Sequence, residues 1–239
     1  MISAVVIIFN WVIETKAETL LSLLAGFVGA AVFTHTAGFF VTFMTGNTGR
    51  AVAGPFNGEF LLAAGAAVLI VAFMAGVVVG MRGRRAVWGE RASGSVALTA
   101  VSLAVATFVD VVVDGVPWAQ DPGFGSIAFV AFAMGALNTA FVRNGEVSTP
   151  LTYVTGTLVK LSQGIERHLA GGTAKEWSGY ARLYGSFLGG GLLGGLTGAL
   201  ATQGAGILLA AAAAAAATTI VVRTMEIRTE TTAAVSVVG

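Results

Sequence analysis

Six stretches of this chain run for close to the length of a bilayer crossing with hardly an ionisable side chain in them. They are Leu20 to Val41, Phe60 to Met81, Val96 to Val113, Phe124 to Val142, Leu183 to Leu200 and Gly204 to Val222, with His35 and Asp110 as the exceptions. A bilayer core roughly 30 Å thick takes about 20 apolar residues per helical crossing. No water reaches that core, so each backbone polar group must be paired within its own segment, which selects helices. A transmembrane β-barrel would alternate apolar and polar residues, and these blocks are apolar all round. A soluble fold would have to bury every side of all six. The 56% hydrophobic and 10% charged composition, with mean hydropathy +0.85, argues the same way. The predicted fold is all-α: a polytopic transmembrane helical bundle of six spans, with the lipid bilayer as its solvent.

Ahead of these blocks, Met1 to Ile13 is apolar but too short to cross, with neither a basic leader nor a small-residue cleavage site. It reads as an interfacial helix anchored by Trp11, within an N-terminal segment of residues 1–19. Topology follows from charge. Arg82, Arg84, Arg85 and Arg91 lie between the second and third blocks, and Arg143, Lys160, Arg167, Lys175 and Arg182 between the fourth and fifth. The third connection carries Asp114 and Asp121 without a base, and the fifth, Ala201 to Gln203, is uncharged. Positive loops stay in the cytoplasm, so both termini are expected there, with Arg223 and Arg228 in a tail of residues 223–239.

Compared with itself, the chain divides in two. Thr42-Phe43-Met44-Thr45-Gly46-Asn47 follows the first block and Thr152-Tyr153-Val154-Thr155-Gly156-Thr157 follows the fourth, at an offset of 110 that also carries Arg50 onto Lys160. Residues 20–114 and 124–222 thus read as two three-helix repeats. Three is odd, so the second repeat enters the membrane from the opposite side, the arrangement that secondary transporters use around a midplane site. Each Thr-Gly segment, with Pro55 after the first and Pro150 before the second, is expected to form a broken or re-entrant helix. The plainer alternative is an outer hairpin plus an amphipathic helix over Leu151 to Leu169. An inward helix end with free amides would favour an anion and a carbonyl end a cation.

Thr45, Gly46, Asn47, Arg50, Asn138, Thr155, Gly156 and Lys160 are therefore the candidates for a substrate path. His35 and Asp110 are candidates for a proton or cation relay, against simpler roles as a hydrogen-bonding group and a membrane-boundary marker. Asn138 and Thr139 can also bond between helices as structural glue. In the fifth block Gly185, Gly189, Gly190, Gly194 and Gly198 bare the backbone for close helix approach. That face could serve within one chain, in a homo-oligomer or in docking onto a larger membrane complex. No strand precedes these glycines and no Lys-Ser/Thr follows, which removes phosphate-loop and dinucleotide readings. With no cysteine, two histidines and no acid-base or ligand set at workable spacing, no enzyme activity, metal or cofactor is expected. The basic residues are ordinary loop charge, so no nucleic acid is expected either.

Phe43-Met44-Thr45-Gly46-Asn47-Thr48, Met134-Gly135-Ala136-Leu137-Asn138 and Tyr153-Val154-Thr155-Gly156-Thr157-Leu158 together resemble the YoaK-type family of bacterial membrane proteins, a domain of unknown function. The resemblance runs from about Leu20 to Val222 and implies a six-span inner-membrane protein without an assigned activity. Members often carry an acid in the first span where this chain has Gly29, a departure that argues against borrowing proton coupling by analogy. Two functional expectations result. One is a small-solute or ion transporter with its path between the repeats; the other is a non-transporting structural or accessory subunit of a larger membrane complex.

Overall fold

The computed structural model describes residues 2–36, 39–112, 123–149, 151–201 and 203–238, with side chains described from 15 to 232 within those ranges. Asp114, Asp121, Pro150 and the side chain of Trp11 lie outside them. Among the described residues the regular structure is helical apart from a hairpin of two short strands, β1 (Val142–Arg143) against β2 (Glu146–Val147). The long helices are α1 (Ile2–Phe33), α3 (Phe60–Gly83), α4 (Ala92–Val112), α7 (Lys175–Leu200) and α8 (Gly204–Val238). All five contain stretches long and apolar enough to cross a membrane. The shorter helices are α2 (Met44–Ala53), α5 (Phe124–Leu137) and α6 (Val154–Leu169).

Two expected blocks end early, for local reasons. The first stops at Phe33, where the backbone passes into turns in which Thr34 Oγ1 and Thr36 Oγ1 donate to the carbonyls of Ala31 and Phe33. The fourth stops at Leu137, where Asn138 Nδ2 donates back to the Met134 carbonyl. At 14 residues α5 is apolar but shorter than the other five. The expected separate N-terminal segment is instead continuous with α1, which runs unbroken from Ile2.

Helix packing is governed by glycine. On α7, Gly190 and Gly194 lie directly against the Leu23 and Phe27 carbonyls of α1, and Gly26 of α1 lies against the Phe187 carbonyl. Ser22 Oγ donates to the Leu183 carbonyl at 2.8 Å, and Gly198 meets Thr34. Residue numbers rise together along this contact, so α1 and α7 are parallel. The α3–α5 pair repeats the device: Gly76 against the Phe132 carbonyl, Gly135 against that of Phe73, and Gly80 against Thr139, again in parallel. A side chain at Gly26, Gly76, Gly135, Gly190 or Gly194 would strike backbone, and its absence lets the helices gain dispersion contact that lipid cannot supply. In contrast α4 and α8 are antiparallel, tied by Ser93 to Glu226 and Arg91 to Glu230.

Between these pairs sits a core of Leu21, Leu24, Val28, Leu103, Met134, Leu137 and Leu208, each almost wholly buried. Outward, Leu61, Val71, Met74, Leu192, Leu196 and Ile220 are exposed, a surface suited to acyl chains. One end of the bundle gathers Arg84, Arg91 and Arg223, and the other carries Pro55, Asp110 and the start of α8.

Candidate functional site

The two Thr-Gly segments open their helices in the same way. Phe43 and Tyr153 stand just before α2 and α6 with φ/ψ of −101°/79° and −86°/65°. Thr45 and Gly46 therefore lie in the first turn of α2, and Thr155 and Gly156 in the first turn of α6. An aromatic ring covers each glycine: a methyl at Gly46 would come within 2.6 Å of the Phe40 ring, and one at Gly156 would strike Tyr153. The bases match as well, with the Arg50 guanidinium 5.6 Å above Phe40 and Lys160 Nζ 5.7 Å above Tyr180.

Both segments reach inward. Thr42 packs on Gly29, where an added methyl would be 2.8 Å from Thr42 Oγ1. Gly29 precedes the end of α1 by one helical turn, so the chain has folded back by about 6 Å. Phe43 goes deeper: its ring lies 5.8 Å from that of Phe187, whose carbonyl packs against Gly26. That is about 10 Å below Phe33. From the arginine-rich end, Leu151 and Val154 share a narrow gap with Ser22 and the same Phe187. The N-terminal ends of α2 and α6 thus approach one buried ring from opposite ends of the bundle.

Amide side chains fix both approaches. Asn47 Nδ2 donates to the Phe40 carbonyl at 2.6 Å while its Oδ1 accepts from the Phe40 N–H at 3.2 Å. Asn138 Nδ2 donates to Thr152 Oγ1 at 2.9 Å and its Oδ1 accepts from the Thr152 N–H at 3.2 Å. Sequence therefore picked out two buried amides whose hydrogen bonds are taken up by the backbone they hold. Thr45 and Thr155 are exposed. Gly156, Tyr153, Thr157 and Lys160 line a cavity of about 400 Å³ with Glu18 and Tyr180. Thr45, Gly46, Asn47, Arg50, Asn138 and Thr155 do not line it, so the candidates do not share one chamber.

His35 and Asp110 both have structural partners. His35 Nε2 lies 2.8 Å from the Gly198 carbonyl, clasping α1 to α7. Asp110 is buried and accepts from the Gly123 N–H at 2.8 Å, closing the start of α5 onto α4. Thr139 bonds Ser95 across helices at 3.0 Å. The glycine face divides: Gly190, Gly194 and Gly198 are used up against α1, whereas Gly185 and Gly189 look onto open space. Among the described residues no three acidic or histidine side chains gather as metal ligands would.

Sequence reasoning passed over Phe187, an ordinary member of an apolar block until the chain brings Phe43 to it. It also took Arg84 for loop charge. Arg84 is 8% exposed, in a π-helical turn (Arg84–Trp88) that continues α3. An arginine abutting an uninterrupted apolar helix, with Trp88 one turn on, is the signal that marks it.

Among known families, the profile for proteins of unknown function (DUF1275) matches residues 18–221. No curated protein and no solved structure gives a match.

Proposed function

The chain belongs to the DUF1275 family of proteins of unknown function, and from its own geometry we propose that it is a small-solute or ion transporter whose path runs between two inverted three-helix repeats. The supporting observation is the pattern of helix pairs. α1 packs on α7 and α8, α5 on α3 and α4, α2 on α3, α6 on α7, and α4 on α8. Exchanging α1 with α5, α2 with α6, α3 with α7 and α4 with α8 leaves that set unchanged, with only a smaller α3–α4 contact lacking an α7–α8 counterpart of its size. In this reading α5, extended by Asn138 to Phe141, makes the sixth crossing, and Gly46 and Gly156 face opposite sides of a bacterial inner membrane. Both termini then lie in the cytoplasm with the arginine-rich end, following the distribution of positive charge.

Two half-helix N-termini directed at a common depth present backbone N–H groups and the positive ends of their dipoles, which favours an anion or the electronegative atoms of a neutral solute. The cavity beside Gly156 and Lys160 is the open vestibule, and Phe43 against Phe187 is the closed barrier. A second reading, an accessory subunit, draws on the same aromatic filling and on the open surface at Gly185 and Gly189.

Proteoliposomes of the full chain on a solid-supported membrane, challenged with panels of small anions, cations and neutral solutes, separate the two. Transport predicts a response to at least one class that Asn47→Ala and Thr155→Ala abolish. Silence to every panel, or a response indifferent to both substitutions, favours the accessory subunit.

A further inference from the structure

A second and larger cavity lies away from both Thr-Gly helices. It encloses about 890 Å³ at the arginine-rich end, where α1, α4, α8, the π-turn and the β1–β2 hairpin meet. Such a volume is within the range of roughly 300 to 1,000 Å³ that small-molecule sites occupy. Ala17, Ala92, Phe141 and Val222 form an apolar wall. Facing them is Arg84, a residue 8% exposed.

What decides the chemistry is which polar groups are already engaged. Glu226 accepts from the Ser93 N–H at 2.9 Å, from the Ser93 hydroxyl, and from Arg223 at 3.5 Å. Glu230 pairs with Arg91 at 3.2 Å and lies 3.9 Å from Arg223. Glu90 is exposed at the mouth. The two acids of α8 in this wall therefore have their donors. Arg84 does not have its acceptors: Nη1 donates to the Ala140 carbonyl at 3.0 Å, and among the described residues no other acceptor bonds this five-donor group. The Trp88 indole N–H in the same wall is buried and without a partner. The Trp88 ring is held by Gly83 and Gly94, each flush against it, so the wall is built and not loosely draped. Apart from the exposed carboxylate of Glu90, the unfilled capacity of this wall is on the donor side, a planar cation beside an apolar wall.

We propose that this cavity binds an anionic amphiphile, with its phosphate or carboxylate oxygens on Arg84 and its apolar body along Phe141, Val222 and Ala92. A planar guanidinium suits such oxyanions because two parallel N–H groups match two oxygens. Basic pockets between helices at the positively charged end of a membrane protein are where anionic headgroups are taken up. The ligand enters either from the bilayer or from water, and the oxyanion chemistry is common to both.

The test uses the full chain with Trp11, Trp118 and Trp177 replaced by Phe, leaving Trp88 as the reporter. Brominated phosphatidylglycerol in nanodiscs should quench Trp88 with an apparent affinity about tenfold above that of brominated phosphatidylcholine, the difference expected for a charge-assisted bond at a desolvated cation. Arg84→Gln should abolish that preference, while Arg82→Gln, at an exposed position nearby, should keep it. Decyl phosphate added to the protein in detergent is the second arm. Competition that depends on Arg84 assigns the aqueous side as a source, and quenching by the lipid alone assigns the bilayer. Equal quenching by the two lipids, measured on the protein with Arg84 intact and so independent of how Arg84→Gln folds, overturns the proposal. A phosphatidylglycerol preference that survives Arg84→Gln overturns it too.

Discussion

The ring of Phe43, at the mouth of one Thr-Gly helix, lies 5.8 Å from the ring of Phe187, in the middle of α7. Phe187 also borders the gap where Leu151 and Val154 of the other Thr-Gly segment arrive. A single buried ring therefore stands between two helix ends that come from opposite ends of the bundle.

If that ring is the barrier of a transport path, Phe187→Ala should raise the passive leak of small anions through proteoliposomes. It should also cost about 3 kcal/mol of stability through the cavity it leaves. A melt showing the stability loss with a leak equal to wild type would mean that Phe187 is packing alone.

The absence of cysteine makes topology directly measurable. Thr45→Cys and Thr155→Cys both fall at exposed positions in the first turns of α2 and α6. A membrane-impermeant maleimide should label Thr45→Cys from the outer side of the membrane and Thr155→Cys from the inner side. Labelling of both from one side would end the inverted-repeat reading.

The divided glycine face gives a contrast in stability. Gly190→Val drives a side chain into the Leu23 carbonyl and should lower stability by at least about 3 kcal/mol. Gly185→Val meets open space and should fall within about 0.5 kcal/mol of wild type. Thermal melts of the purified protein in one detergent compare them. If Gly185→Val leaves the melt unchanged but alters the size of the particle, the open surface is an interface.

Asn138 and Thr152 should couple. Asn138→Ala strands the Thr152 N–H and should cost about 1 to 3 kcal/mol. A double-mutant cycle with Thr152→Val should return an interaction energy above about 0.5 kcal/mol. Additive losses would show that Asn138 acts through Met134 and the Thr152 N–H and not through the Thr152 hydroxyl.

Much of this architecture was legible because lipid imposes it. Uncharged blocks of crossing length announce helices, and the offset of 110 between Thr45-Gly46 and Thr155-Gly156 announces matched segments that both proved to begin helices. The interruptions were less visible. Thr34 and Asn138 stand where their helices end and bond carbonyls one turn back, yet Thr99 and Thr107 make the same kind of bond within α4 without breaking it. The direction of α2 and α6 was hidden for a similar reason, since an aromatic N-cap without a side-chain hydrogen bond leaves no capping signature. Among the candidates, Asn47 was found through the repeated Thr-Gly segment and Asn138 as a polar residue in an apolar block. Phe187 and Arg84 owe their significance to neighbours distant in the chain, Phe43 and Ala140, and composition carries no record of those.

The parallel glycine contacts have a bearing on how the protein is made. α1 rests on α7 and α5 on α3, so each half keeps its first helix against a helix of the other half. When the ribosome has delivered α1 to α4, Gly26 and Gly76 still face lipid where their partner backbones belong. Close packing begins only when α5 arrives for α3, and α1 waits longer still, until synthesis has passed Leu200. Until then the nascent chain carries inserted helices short of their long-range partners, and the residues from Phe124 onward bring those partners.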